Sequence, residues 1–229
     1  MTQSVHEPRL LRLDASARHA DSVSRKIADA VQARWKKRHP HGVVIHRDLS
    51  RDPMEHIQQA TITGFYTPDS DMTPDLIRAT ALSDTVIEEL MSADLVLIAS
   101  PMYNFTVPSA LKAWIDQIMR VNRTFAFRDG QFEGLVTAPR AILALAYGAH
   151  GYQGPMASMD FLRPYLVSLL GFMGIGRVEV VTAEATTMPQ AASELDKALQ
   201  QVEALFALSS DNIDLPLDAR RANAGLTNT

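Results

Sequence analysis

The stretch Asp94-Leu95-Val96-Leu97-Ile98-Ala99-Ser100-Pro101-Met102-Tyr103-Asn104-Phe105-Thr106-Val107-Pro108-Ser109-Ala110-Leu111-Lys112-Ala113-Trp114-Ile115-Asp116 decides the fold, because it reads as a buried strand, an aromatic loop and a helix start in unbroken succession. Leu95 to Ala99 form the continuous apolar run that a parallel strand needs when both its faces are covered. Pro101 ends the strand. Pro108 pre-sets the backbone for a first helical turn, and Leu111, Trp114, Ile115, Ile118 and Met119 follow at helical spacing on one face. Between strand and helix, Met102-Tyr103-Asn104-Phe105 displays two aromatic rings and an amide at the carboxyl end of a strand, the place where open α/β sheets bind ligands.

Outward from this unit, strands and helices alternate. Residues 9–15 and 43–46 read as strands, and residues 22–38 as a helix whose Val23, Ile27, Val31 and Trp35 share a stripe. Residues 76–91 are helical. After the central unit come a strand at 140–147, a helix near 160–171 with Asp160 as its cap, a strand at 177–182 and a helix at 190–207. Five strands with helices between them predict an α/β fold with a doubly wound parallel sheet, because parallel neighbours need right-handed crossovers. The expected order is 2-1-3-4-5, the flavodoxin-like arrangement.

In such a sheet the loops after strands one, three and four converge on one edge. After strand one, Ser16-Ala17-Arg18-His19-Ala20-Asp21-Ser22-Val23-Ser24 enters a helix. Hydroxyls and free amides at a helix start suit a phosphate, although Asp21 or Ser22 acting as an ordinary cap explains the same residues. After strand four, Tyr147-Gly148-Ala149-His150-Gly151-Tyr152-Gln153-Gly154-Pro155 is a long glycine-rich loop. It is either a surface connection or a set of backbone amides that approach the edge of a ring and stabilise negative charge there.

Composition closes off other classes. A chain of 229 residues with 46% hydrophobic content buries a full core, and residues 1–208 read as one domain. From Ser209 onward the apolar periodicity fades, so residues 209–229 are expected to be a loosely held polar tail. A net charge of −4 with intermixed signs argues against nucleic acid, and the cluster Arg34, Lys36, Lys37, Arg38 is expected at a helix end, where cations complement the dipole. No apolar run reaches membrane-spanning length, and residues 1–8 lack a signal-peptide core, so a cytoplasmic protein is expected. The absence of cysteine removes disulfides, thiolate metal sites and thiol nucleophiles. There is no paired-histidine metalloprotease pattern, no Gly-x-Ser-x-Gly elbow, no Walker loop and no Gly-x-Gly-x-x-Gly; Gly148, Gly151 and Gly154 are spaced wrongly for the last.

Two segments read as roofing. Residues 124–133 form a hairpin flap, given Asp129-Gly130 between alternating apolar residues. Residues 51–75 form a long insertion in which Phe65 and Tyr66 either pack under the loop, cover a flat ligand or meet a second subunit.

The strings Pro-Met-Tyr-Asn-Phe-Thr-Val-Pro-Ser-Ala-Leu-Lys at 101–112, Ile-Asp-Gln at 115–117, Phe-Glu-Gly-Leu-Val-Thr at 132–137, Pro-Tyr-Leu at 164–166 and Leu-Gly-Phe-Met-Gly-Ile-Gly at 170–176 closely resemble the FMN-dependent NADH azoreductase and quinone reductase family, over about residues 9–207. The resemblance implies a homodimer with one FMN per subunit near the interface. It implies two-electron reduction of quinones, azo compounds or nitroaromatics with NADH or NADPH by a ping-pong cycle, with the chemistry at flavin N5. By the same likeness Ser16, Ser22, Val23 and Ser24 hold phosphate and ribityl, and Pro101, Met102, Tyr103, Asn104 and Phe105 line the ring. Phe127 is then an aromatic at the mouth and Phe172 a wall of the substrate pocket, with His150 and Tyr152 as proton donors or structural groups beside it.

One segment departs from the pattern. Where the family shows Ser-Arg-Gly-Gly, this chain has Ala146-Tyr147-Gly148-Ala149. Contacts from that segment must then come from the backbone, with Tyr147 left to stack or hydrogen-bond in place of the arginine. A different class of function, an electron carrier of this fold without its own nicotinamide reaction, predicts a shorter, more acidic chain with an exposed ring edge.

Overall fold

The computed structural model describes residues 7–207, so the tail from Ser209 lies outside the described residues. Five parallel strands, β1 (Arg9–Asp14), β2 (Val43–Asp48), β3 (Leu95–Pro101), β6 (Ala141–Ala146) and β7 (Val178–Ala183), form one sheet in the order β2-β1-β3-β6-β7. A separate antiparallel pair, β4 (Phe125–Arg128) and β5 (Gln131–Gly134), is the hairpin. With the hairpin strands set aside, this is the expected flavodoxin-like order.

The period of two along each strand sorts the core into two layers. In β3, Val96 and Ile98 join Leu11, Leu13, Leu143 and Leu145 on one face, against α3 (Pro74–Ser92), α4 (Ser109–Ile118) and α5 (Arg163–Phe172). Leu95, Leu97 and Ala99 join Leu10, Ile142 and Val181 on the other, against α1 (Val23–Arg38) and α6 (Ala191–Ala207). Trp114 of α4 is fully buried in the first layer. Both faces of β3 are therefore covered, as its unbroken apolar run requires.

The helix boundaries follow local chemistry. Thr73 caps α3 through Leu76 N–H, with Pro74 in the first turn, two residues ahead of the expected start. Asp160 accepts from Leu162 and Arg163 N–H at 2.9 and 3.0 Å, which supports the start of α5. The last turn of α1 carries Lys36, Lys37 and Arg38. The 51–75 insertion is more ordered than its sequence suggests: it contains α2 (Gln59–Tyr66), started by a reciprocal Gln58/Thr61 capping box. Phe65 packs beneath Arg120 at 4.9 Å, whereas Tyr66 is exposed.

Strand direction fixes two poles. Each crossover helix runs antiparallel to the strands, so α5 begins near the carboxyl edge and ends, about 15 Å further on, at the amino edge. The hairpin, inserted between the end of α4 and the start of β6, lies at that amino edge. There Val136 N–H donates to Met173 carbonyl and Gly134 sits against Gly174 with no room for a Cβ.

Candidate functional site

At the carboxyl edge, the loop after β1 is held from below. Ala15 N–H donates to Ala99 carbonyl, extending the β1–β3 ladder to the loop. Arg25, on the first turns of α1, donates to Ser16 carbonyl at 2.8 Å, to both Asp48 oxygens at 2.7 and 2.8 Å and to Asp14 at 3.2 Å. Asp14 also meets Arg12 and His46. The Arg25 hydrogen bond holds the Asp48 carboxyl far below its usual range, and the same pairing raises Arg25. Above this network Ser22 is the N-cap of α1, accepting from Arg25 N–H at 3.4 Å, and its hydroxyl lies 3.3 Å from that of Ser24. The amides of Val23 and Ser24 have no intrahelical partner, as first-turn amides never do.

The loop after β3 is a strained turn. Tyr103 and Thr106 exchange backbone hydrogen bonds at 3.0 and 3.1 Å, and the two residues between them, Asn104 (φ 49°) and Phe105 (φ 72°), are left-handed. Asparagine tolerates this and phenylalanine does not, so the turn persists because its surroundings hold it. Phe105 carbonyl accepts from Phe161 N–H at 3.0 Å, and Tyr103 hydroxyl accepts from Ala17 N–H at 3.3 Å. The aromatic loop is thus tied to both neighbours.

The three loops meet in one cavity of about 260 Å³. Ser16, Ser22, Val23 and Ser24 line it from the first loop, Pro101, Met102 and Tyr103 from the second, and Ala146 and Gly148 from the third. Asn104 lines an adjoining groove of about 900 Å³ that shares Tyr103 and runs past Lys112 of α4 to Phe161, just before α5, and Tyr165 within it. Phe105 is partly exposed on the same turn.

Other expected site residues sit elsewhere. Tyr147 points into the core, 1% exposed, and donates to Asp160 at 3.1 Å. Burial, then the Asp160 carboxylate, pushes its phenol far above the ordinary range, so it stays protonated and does not face the cavity. Ala149 packs against the core layer. Tyr152 is buried too, its ring 5.1 Å from that of Tyr147, because an aromatic beneath a glycine-rich loop gains more from the core than from water. His150 is exposed and faces Glu184 at 3.4 Å rather than the cavity.

Phe127 and Phe172, expected at the mouth and the substrate pocket, lie within their own chain at the amino pole. They belong there to an aromatic cluster with Phe125 and Phe132, ring centroids 5.0–6.2 Å apart. The hairpin turn itself follows its residues, with Asp129 (φ 51°) and Gly130 (φ 79°) forming the type I′ geometry that Asp-Gly favours. Its place in the chain put it at the far edge.

Residues not foreseen also line the cavity: Arg18 and Asp21, paired with each other, and Thr186 and Thr187 from the loop after β7. The neighbourhood of β6 and β7 in the sheet was the available signal for the threonines. Among the described residues no cluster of histidine, aspartate or glutamate is arranged to hold a metal, and no helix is long and apolar enough to cross a membrane.

Hydroxyls and free amides at one end and an aromatic turn at the other define an α/β protein built to hold a phosphorylated, flat ligand at the carboxyl edge of its sheet. The profile of the family described as Flavodoxin-like fold matches residues 8–206, and the chain belongs to that family. It is 47% identical over 205 residues to the FMN-dependent NADH:quinone oxidoreductase of Xanthobacter autotrophicus, covering 88% of this chain and 99% of that one. A relative of the same description in Acidobacterium capsulatum is 44% identical over 179 residues, 78% of this chain and 86% of its own. Among solved structures, the azoreductase from Bacillus anthracis str. Sterne superposes with a TM-score of 0.80 at 26% identity, covering 87% of this chain and 98% of that one.

Proposed function

We propose that this chain is an FMN-dependent NAD(P)H oxidoreductase that reduces quinones by two electrons and cleaves azo compounds reductively in a ping-pong cycle, with nitroaromatics as further acceptors. The observation that carries the reading is the single cavity built by the β1, β3 and β6 loops, with orphan helix amides and hydroxyls at one end and Tyr103 at the other. Relatives described as FMN-dependent NADH:quinone oxidoreductases support it over an electron carrier.

On this reading Ser16, Ser22, Val23 and Ser24 bind the phosphate and ribityl chain, assisted by the dipole of α1. Met102 to Phe105 form the ring's wall, and the amides at Gly148 and Ala149 face its polar edge. The cavity of about 260 Å³ would hold the phosphate end, and the aromatic turn, which also lines the larger groove, would hold the ring. Bound FMN would supply the two-electron chemistry between NADH or NADPH and the acceptor. The chain's contribution is orientation and exclusion of water, and no side chain in the cavity is required as acid or base.

The active unit of the reading is a cytoplasmic homodimer of chains whose residues 1–208 form one domain. Phe127, Phe132 and Phe172 are exposed at the pole opposite their own cavity, and the apolar groove beside Asn104 and Phe161 is open. A second copy that seats its aromatic pole on this groove covers both apolar surfaces and brings Phe127 and Phe172 to the flavin. Sedimentation is expected to give twice the chain mass of 25.2 kDa. For the chemistry, the purified protein is expected to be yellow, near one FMN per chain, and to bleach when NADH is added without oxygen. A colourless protein that takes up no FMN ends the reading, and flavin that NADH leaves oxidised in stopped-flow mixing makes the protein a carrier instead.

A further inference from the structure

The loop after β7 touches the β6 loop along its whole first half. Tyr147 carbonyl accepts from both the amide and the hydroxyl of Thr186 at 3.0 Å, and Gly148 carbonyl accepts from the amide and hydroxyl of Thr187 at 3.3 and 3.0 Å. Ala149 carbonyl accepts from Ala185 N–H at 2.9 Å. Further along, the buried Glu184 carboxylate accepts from Gly151 and Gln153 N–H at 2.7 and 3.0 Å. Ala185 is left-handed at φ 55°, a conformation that these bonds hold in place.

Three successive carbonyls are therefore turned toward β7. A planar trans peptide sets its N–H opposite its C=O, so the amides of Gly148, Ala149 and His150 are turned the other way. Since β6 lies between β7 and β3, that direction is toward the β3 side of the sheet, and Gly148 lines the cavity together with Pro101 and Met102. These amides have no hydrogen-bond partner among the described residues. Successive free amides facing one way form a concave donor array that favours negative charge.

We propose that Thr186 and Thr187, with Glu184 behind them, are positioning residues that hold this donor array toward the flavin and thereby raise its reduction potential. The inference rests on the FMN reading above. It explains how a chain with Ala146 and Tyr147 in place of a hydroxyl and a guanidinium still stabilises the charge that reduction places on the ring: fixed backbone dipoles do so without reorganising. The two threonines replace, from the neighbouring loop, the anchoring that side chains on the β6 loop do not supply.

The test is the midpoint potential of bound FMN, measured by spectroelectrochemical titration in the wild type, in Thr186→Val/Thr187→Val, and in Thr186→Ser/Thr187→Ser. The valine pair is expected to bind reduced FMN about tenfold more weakly relative to oxidised FMN, which lowers a two-electron potential by about 30 mV. The serine pair, which keeps both hydroxyls, is expected to stay at the wild-type value. Thr187 is exposed, so Thr187→Val alone provides a folded variant should the pair misfold, with a smaller shift in the same direction. A wild-type potential in FMN-loaded Thr187→Val and in the valine pair overturns the proposal. Failure of the wild type to take up FMN overturns the flavin reading instead.

Discussion

The two poles of this chain are built on opposite principles. At the carboxyl edge, the loops that shape the cavity are tied to their neighbours: Ser16 carbonyl to Arg25, Phe105 carbonyl to Phe161, Gly148 carbonyl to Thr187 twice. At the amino pole, Phe127 and Phe132 are 58% and 62% exposed and touch mainly one another and Phe172. A single chain completes the first region. The second is an apolar cluster facing solvent on a short hairpin, the kind of surface that a partner covers. On the proposed function, cofactor retention and acceptor access are separable: the first rests on one chain, the second on a pair of chains.

The largest effect that tests this contrast is expected from Arg25→Ala. The substitution strips Asp14 and Asp48 of their guanidinium and releases Ser16 carbonyl, in a network where Asp14 is 1% exposed. Removal of one partner from such a buried pair costs about 3 kcal/mol, so chemical denaturation should show that loss together with lost FMN retention. A loss under about 1 kcal/mol with FMN still bound would mean the cradle is not braced from below. The same pair gives a pH signature. Because the folded-state pKa of Asp48 is depressed, its contribution to stability is present above the ordinary carboxylate value of 3.8 and is lost as pH falls through the folded value. The acid limb of a melting-temperature profile should therefore be shallower in Arg25→Ala than in the wild type.

Phe127→Ala should act at the other pole and on a different quantity. Loss of one exposed aromatic stack is worth about 1 kcal/mol, or roughly fivefold in the Michaelis constant for a quinone. The melting temperature should change little, since in its own chain the ring belongs to neither the cavity nor the core. A loss of stability as large as that expected for Arg25→Ala would tie the hairpin to its own chain's core and undo the contrast between the poles.

The carboxyl edge was far more legible in the sequence than the amino pole, for a physical reason. Apolar runs and the strand–helix alternation specify a doubly wound sheet, and the sheet alone determines that the loops after β1, β3 and β6 converge. Ser22 and Gly148 meet because of topology, not because of any property of serine or glycine. What stayed hidden depends on side-chain direction and on which strands are neighbours. Tyr147 stands in the cavity loop yet points inward, because its ring is better covered by the core and its hydroxyl is satisfied by Asp160. Thr186 and Thr187 form no motif; their role comes from the adjacency of β7 to β6. Phe127 and Phe172 carry a family likeness that assigns them to the mouth, whereas the fold of their own chain sets them at the other pole.

The smallest expected effect separates two readings of one hydroxyl. Ser22 caps α1, but at 3.4 Å from Arg25 N–H the bond is long, so Ser22→Ala should cost only about 0.5 kcal/mol, at the low end for caps. If capping were its whole contribution, that loss would appear in denaturation and the preference for FMN over riboflavin would not move, because both ligands meet the same helix. On the proposed function the hydroxyl also faces the phosphate, together with Ser24 3.3 Å away. Ser22→Ala should then weaken FMN by severalfold while leaving riboflavin, which has no phosphate, where it was. Equal changes in the two dissociation constants, read by quenching of flavin fluorescence, would assign Ser22 to the helix alone and move the phosphate contact to the free amides of Val23 and Ser24.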